Sequence, residues 1–228
     1  TYENLWKQVE QANNKSLPQT VIKLTEDIFS KAQKEKNSPQ MLKAYRARAQ
    51  YQRNLTPDSF YVDLKGMERW AETTDNRIDR AILHTLIAGV YADYAQSNSW
   101  SIRQRASLMG DAPEDIREWS GNLFVDKVIQ HTEAALQDST LLLSTSSKDY
   151  QPFVVLGNSS EYYGHDMFHM ITLYSIDALK RMNYTGNYPQ VNERIESLFT
   201  NLTLPYKEPG KADAYILASL DYLRWKNN

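Results

Sequence analysis

From Tyr2 to Leu223, apolar residues recur at three- and four-residue intervals in run after run, and that spacing places each run on one face of an α-helix. Tyr2, Leu5, Trp6 and Val9 make the first stripe, and Val21, Leu24, Ile28, Phe29 and Ala32 the second. Met41, Ala44, Tyr45 and Ala49 follow, then Tyr61, Leu64, Met67 and Trp70. The punctuation between the stripes is that of helix starts. Ser16-Leu-Pro-Gln19 reads as a capping box, and Ser38-Pro39 and Thr56-Pro57 each place a cap before a first-turn proline. Eight glycines and eight prolines are too few for the many turns of an all-β sandwich of this length.

Asp75 is the expected cap of a helix reaching about Gln96. In it Ile78, Ala81, Ile82, Leu83, Leu86, Ile87, Val90 and Tyr91 are apolar nearly all round, so it belongs in the middle of the assembly. Residues 97–110 read as a loop with one helical turn. Asp111-Ala-Pro-Glu114 opens a helix to about Leu136, with acid in its first turn favouring the helix dipole. Residues 144–149 form a serine-rich break. The β-branched run at 153–156, the Gly157-Asn158 turn and Glu161 to Tyr163 predict a small β-hairpin near 152–163. Helices follow from Asp166 to Met182, from Pro189, and after Pro209, the last lined by Ala212, Ile216, Leu220 and Leu223. Together these predict an all-α fold, a single domain over 1–228 built as an array of antiparallel helix hairpins. The array is an α-α superhelix, tetratricopeptide-like but degenerate, because no clean 34-residue repeat is present. A closed helical bundle is the alternative.

Composition excludes several classes of function. The chain carries 26 Lys and Arg against 28 Asp and Glu, a formal net charge of −2, so nothing marks it for nucleic acid or an acidic membrane surface. It contains no cysteine, which removes thiol nucleophiles, disulfides and Cys-bound zinc. No stretch approaches the roughly 18 apolar residues of a membrane helix, and residues 1–10 lack the charged and apolar regions of a signal peptide.

The sharpest chemical pattern is His165-Asp166-Met-Phe-His169. Two histidines at i and i+4 on one helix face are a candidate metal pair, with Glu161 and Asp166 the nearest third ligands. Asp166 stands where zincin chemistry uses the longer glutamate as general base. The competing structural reading has Asp166 capping the helix and the histidines packing. His84, within an apolar helix, is expected to be buried and hydrogen-bonded, and His131 to face solvent. No Gly-x-Ser-x-Gly elbow and no glycine-rich phosphate loop is present, so no catalytic residue and no cofactor is expected. Five Asn-x-Ser/Thr sequons begin at Asn14, Asn54, Asn158, Asn183 and Asn201, a pattern short enough to recur by chance. Trp6, Trp70, Trp100, Trp119 and Trp225 would serve a carbohydrate only if they lined a groove instead of the core.

Four segments carry a family resemblance: residues 5–10 (Leu-Trp-Lys-Gln-Val-Glu), Thr56 to Tyr61 continuing to Trp70, Asp115-Ile-Arg-Glu-Trp119, and Gly164-His-Asp-Met-Phe-His169. In these the chain resembles the N-terminal helical region of large α-2-macroglobulin-like proteins of Bacteroidetes. The resemblance implies a fragment of an exported multidomain protein of the periplasm or cell envelope, one thought to trap or inhibit proteases. The thioester cysteine of that family is absent from this chain, and the resemblance supplies no functional residues. The expectation is therefore a non-enzymatic scaffold or protein-interaction domain, whose partners are neighbouring domains of its parent or another protein. A metal-dependent hydrolase at His165 and His169, and a carbohydrate-binding helical module, are the alternatives.

Overall fold

A computed structural model describes residues 1–56, 60–105, 112–158, 160–162 and 165–227. It is all-α, and no strand occurs among the described residues. The contacts fall into two compact units, Thr1–Met67 with Ser147–Leu156, and Glu68–Ser146 with Gly157–Asn228.

The first unit is built on α1 (Tyr2–Asn14), α2 (Pro18–Lys34) and α3 (Ser38–Leu55), with the start of α4 (Phe60–Thr73). Neighbours in sequence pack together, α1 on α2 and α2 on α3. Val9, Ala12, Val21, Ile28 and Ala44 form the core between them, flanked by Leu5, Trp6, Leu24 and Phe29. The two tight connections are one turn used twice. Ser16 and Lys36 take left-handed φ values of 55° and 54°. Behind each, the chain closes the preceding helix, Leu17 N–H donating to Ala12 O and Asn37 N–H to Ala32 O. Ser16 therefore ends α1 and does not cap α2, whose cap position is Leu17 with Pro18 behind it. Asn37, one residue before the expected Ser38, caps α3 by accepting from the Gln40 N–H. Pro57 lies outside the described residues.

In the second unit α5 (Arg77–Ser97), α7 (Gly121–Ala135) and α9 (Met167–Met182) pack mutually. The all-round apolar α5 is in the middle, as its sequence predicts, and it buries Ala81, Ala88, Ala92 and Ala95 so that its neighbours approach closely. Its cap is Asn76, not Asp75. The Asn76 carboxamide accepts from both Ile78 and Asp79 N–H. The loop after it holds the short α6 (Ser99–Arg103). The helix expected from residue 111 starts only at Gly121. Asp115 caps a single 3-10 turn, Ile116–Glu118, and Trp119 then enters the core. Asp111 lies outside the described residues. A short α8 (Ser139–Ser144), then α10 (Pro189–Thr203) and α11 (Ala212–Lys226), complete the unit, α9, α10 and α11 packing in sequence.

Among the described residues of 152–163 the expected β-hairpin does not form. Residues 151–154 make turns, and Ser160–Tyr162 is a 3-10 turn. Three β-branched or aromatic residues, Phe153, Val154 and Val155, are too few to make a strand without a partner. Here Val154 packs inward while Val155 is exposed. The only β-like pairing among the described residues is an isolated bridge between Ser146 and Asp166. No described helix is long and apolar enough to cross a membrane.

Candidate functional site

The start of α9 shows what the His165 and His169 pattern builds. Asp166 precedes the helix, and its Oδ1 accepts the His169 N–H at 2.8 Å. The Tyr206 hydroxyl donates to the same carboxylate, 2.8 Å from Oδ2 and 3.0 Å from Oδ1. Burial and the Asp166 charge push the Tyr206 phenol far above its ordinary range. His165 lies before the first helical residue, so the i and i+4 spacing does not place the two imidazoles on one helical face. His169 is buried, its ring tilted against Tyr206 with centroids 5.3 Å apart. Burial holds its pKa below the usual imidazole range, against the pull of Asp166 and Asp221. Among the described residues, no three His, Asp or Glu groups converge as metal ligands. The Glu161 side chain lies outside that set.

A second histidine pair escapes sequence reading. His84 of α5 and His131 of α7 meet with their Nδ1 atoms 2.9 Å apart, one Nδ1–H donating to the other's lone pair. His131 is buried and does not face solvent, whereas His84 is half-buried. The reason is packing around α5. Tyr91 stacks on the His131 ring at 5.9 Å and on Trp119 at 5.6 Å, and its hydroxyl donates to Glu68. Burial pushes His131 down to about 4, with the His84 and Lys127 charges adding to it and Glu68 opposing. Burial and Arg80 lower His84 as well. Both imidazoles are therefore neutral near pH 7 and joined through a single shared proton. The arrangement clamps α5 to α7. A base so far depressed has little proton affinity near neutral pH. No local signal announces such a pair, because the two residues are 47 positions apart.

The tryptophans divide between core and surface. Trp119 is buried, Trp100 is exposed, and Trp6, Trp70 and Trp225 are half-buried. Trp225 stacks near Phe199 with Tyr222, on the side of α11 that faces α10. Trp225, Asp221 and Arg224 of α11, Phe199 of α10 and Leu173, Ile176, Asp177 and Lys180 of α9 line a shallow groove of about 410 Å³.

The last helix reverses its expected face. Ile216, Leu220 and Leu223, spaced to be its core stripe, are 52%, 40% and 52% exposed. The buried side of α11 is Ala214 and Ala218. Small residues let α11 approach α10 closely, and the large aliphatic stripe is left outward. No family model, no curated protein and no solved structure matches the chain.

Proposed function

We propose that the chain is a non-enzymatic scaffold domain that docks another protein domain on the outer face of α11. The observation that carries this reading is the exposed row of Ile216, Leu220 and Leu223. Single exposed aliphatics are ordinary, but three at i, i+4 and i+7 make one continuous apolar strip. Burying a side chain of this size is worth about 1.5–3 kcal/mol. Asp213, Asp221 and Arg224 stand on the same helix, Asp221 and Arg224 as an ion pair at 3.3 Å, and supply the charged groups found at the rim of an interface. Following the family resemblance, the partner is a neighbouring domain of an exported, α-2-macroglobulin-like parent in the periplasm or envelope.

The test is a triple variant, Ile216→Ser, Leu220→Ser and Leu223→Ser. Partners captured by the tagged wild-type chain from its native cells are identified by quantitative mass spectrometry, then purified and titrated by calorimetry. The variant is expected to keep its melting temperature and lose a specific protein ligand. Equal binding by wild type and variant, or a variant that fails to fold, would show that this face belongs to the fold and not to a partner.

A further inference from the structure

The first unit holds an open groove of about 730 Å³ between α1 and α3, closed at one side by Gln151 and Pro152. Its volume is in the range of ligand sites. Two of the amides in its walls, Gln40 and Asn13, have their oxygen occupied by an aromatic donor. The Trp6 indole N–H donates to Gln40 Oε1 at 2.7 Å, and the Tyr51 hydroxyl donates to Asn13 Oδ1. That fixes which way each carboxamide points, and leaves the N–H₂ donors of Gln40 and Asn13 without an acceptor among the described residues. Gln40 is only 9% exposed, so its free donor is held rigidly.

Lys43 stands one turn beyond Gln40 on α3. Its Nζ lies 4.1 Å from the Trp6 ring centroid, a cation–π contact. The lysine is half-buried and makes no ion pair with a described carboxylate. Burial lowers its pKa. Trp6 thus touches Gln40 with its edge and Lys43 with its face, so the amide donor and the ammonium flank one indole. Such a pair is built for an oxygen acceptor, and an anionic one most of all.

Charge and ring geometry narrow the ligand. Glu3 is taken up by Lys7, and Glu10 stands exposed on the α1 side, so the groove as a whole is close to neutral. It therefore suits a single carboxylate better than a polyanion. Sugar recognition uses open aromatic faces, but an ammonium covers a face of Trp6, and Lys31 lies over the Tyr2 ring at 5.0 Å. Peptide carbonyls need only donors, and the groove offers them from both walls.

We propose that this groove binds an extended peptide segment through one carboxylate, gripped between Lys43 Nζ and the Gln40 amide, with the Asn13 amide receiving a carbonyl further along. The proposal rests on the interaction reading for its kind of ligand alone. It concerns a different unit, so loss of α11 docking would leave it intact.

A library of displayed 12-residue peptides, panned against the full chain, tests it. Enriched sequences are expected to share an Asp, a Glu or a free C-terminus. Synthetic peptides from that set should bind Lys43→Met and Gln40→Glu at least about tenfold more weakly. Gln40→Glu keeps the acceptor for Trp6 and replaces the donor with a carboxylate oxygen, and its thermal melt is measured first to establish that the variant is folded. Lys23→Ala, an exposed lysine of α2 outside the groove, should change binding by less than about twofold. Enrichment without a carboxylate, binding indifferent to Lys43 and Gln40, or no enrichment would each overturn the proposal. So would tight binding of oligogalacturonate with no peptide selected, which would place a sugar acid in the groove.

Discussion

Asp166 holds more of the fold than either histidine beside it. Its carboxylate caps α9 through the His169 N–H and anchors Tyr206, 40 residues away. Replacing it with Ala removes the cap and strands a buried phenol, two losses of about 1 kcal/mol or more each. Asp166→Ala is expected to lose about 2–3 kcal/mol in urea denaturation, and Asp166→Asn, which keeps an acceptor for both donors, less than half of that. The cap is visible in sequence because it is local, whereas Tyr206 is brought to Asp166 only by the packing of the residues after α10. The same division applies to His131. Its neighbours in sequence, Thr132 and Glu133, suggest a solvated face, but Tyr91 and His84 of α5 bury it.

At the scale of elements, the junction of α7 with the turn before α10 allows no side chain larger than hydrogen. A Cβ on Gly121 would lie 1.9 Å from the Tyr188 hydroxyl and 3.5 Å from Ile102 Cγ2. Gly121→Ala should therefore destabilise the chain by about 1–3 kcal/mol, the usual cost of overpacking. Adding Tyr188→Phe should recover part of it by removing the clashing oxygen, as read from thermal melts of the single and double variants. If Gly121→Ala melts like wild type, the Tyr188 ring yields to a methyl group and the contact does not constrain this junction. Most helices themselves were legible in sequence, since 3.6-residue periodicity needs no partner. Their starts moved by one residue at Asn37 and Asn76, where a carboxamide outcompeted its neighbour as cap. The start of α7 moved further, because the 3-10 turn at Ile116–Glu118, capped locally by Asp115, is followed by Trp119 packing against Tyr91 and Phe124, which no local signal announces.

For the whole molecule, the distribution of histidine separates the two units. All four histidines, at 84, 131, 165 and 169, belong to the second unit. His84, His131 and His169 have folded pKa values below the imidazole norm, His131 at about 4. A depressed value means the unfolded chain takes up protons first. The stability is full above about pH 6.5 and is lost as pH falls toward about 4. The first unit responds in the opposite sense through Asp63, whose burial raises its pKa, so protonation favours its folded form. Hydrogen exchange followed by mass spectrometry from pH 7 to pH 4.5, corrected for intrinsic rates, should show peptides of α5, α7 and α9 losing protection before those of α1, α2 and α3. Simultaneous loss would mean that these histidines do not govern acid stability. The sequence by itself determined the all-α class, the central place of α5 and nearly every helix, because periodicity and capping act within a few residues. Tertiary structure alone decided which faces are covered. The Ile216, Leu220 and Leu223 stripe has the spacing of a core, yet α11 turns its alanines to α10, since small side chains permit the closer approach. The groove donors of Gln40 and Lys43 exist only because α2 brings α1 and α3 together, and no spacing within either helix encodes that meeting.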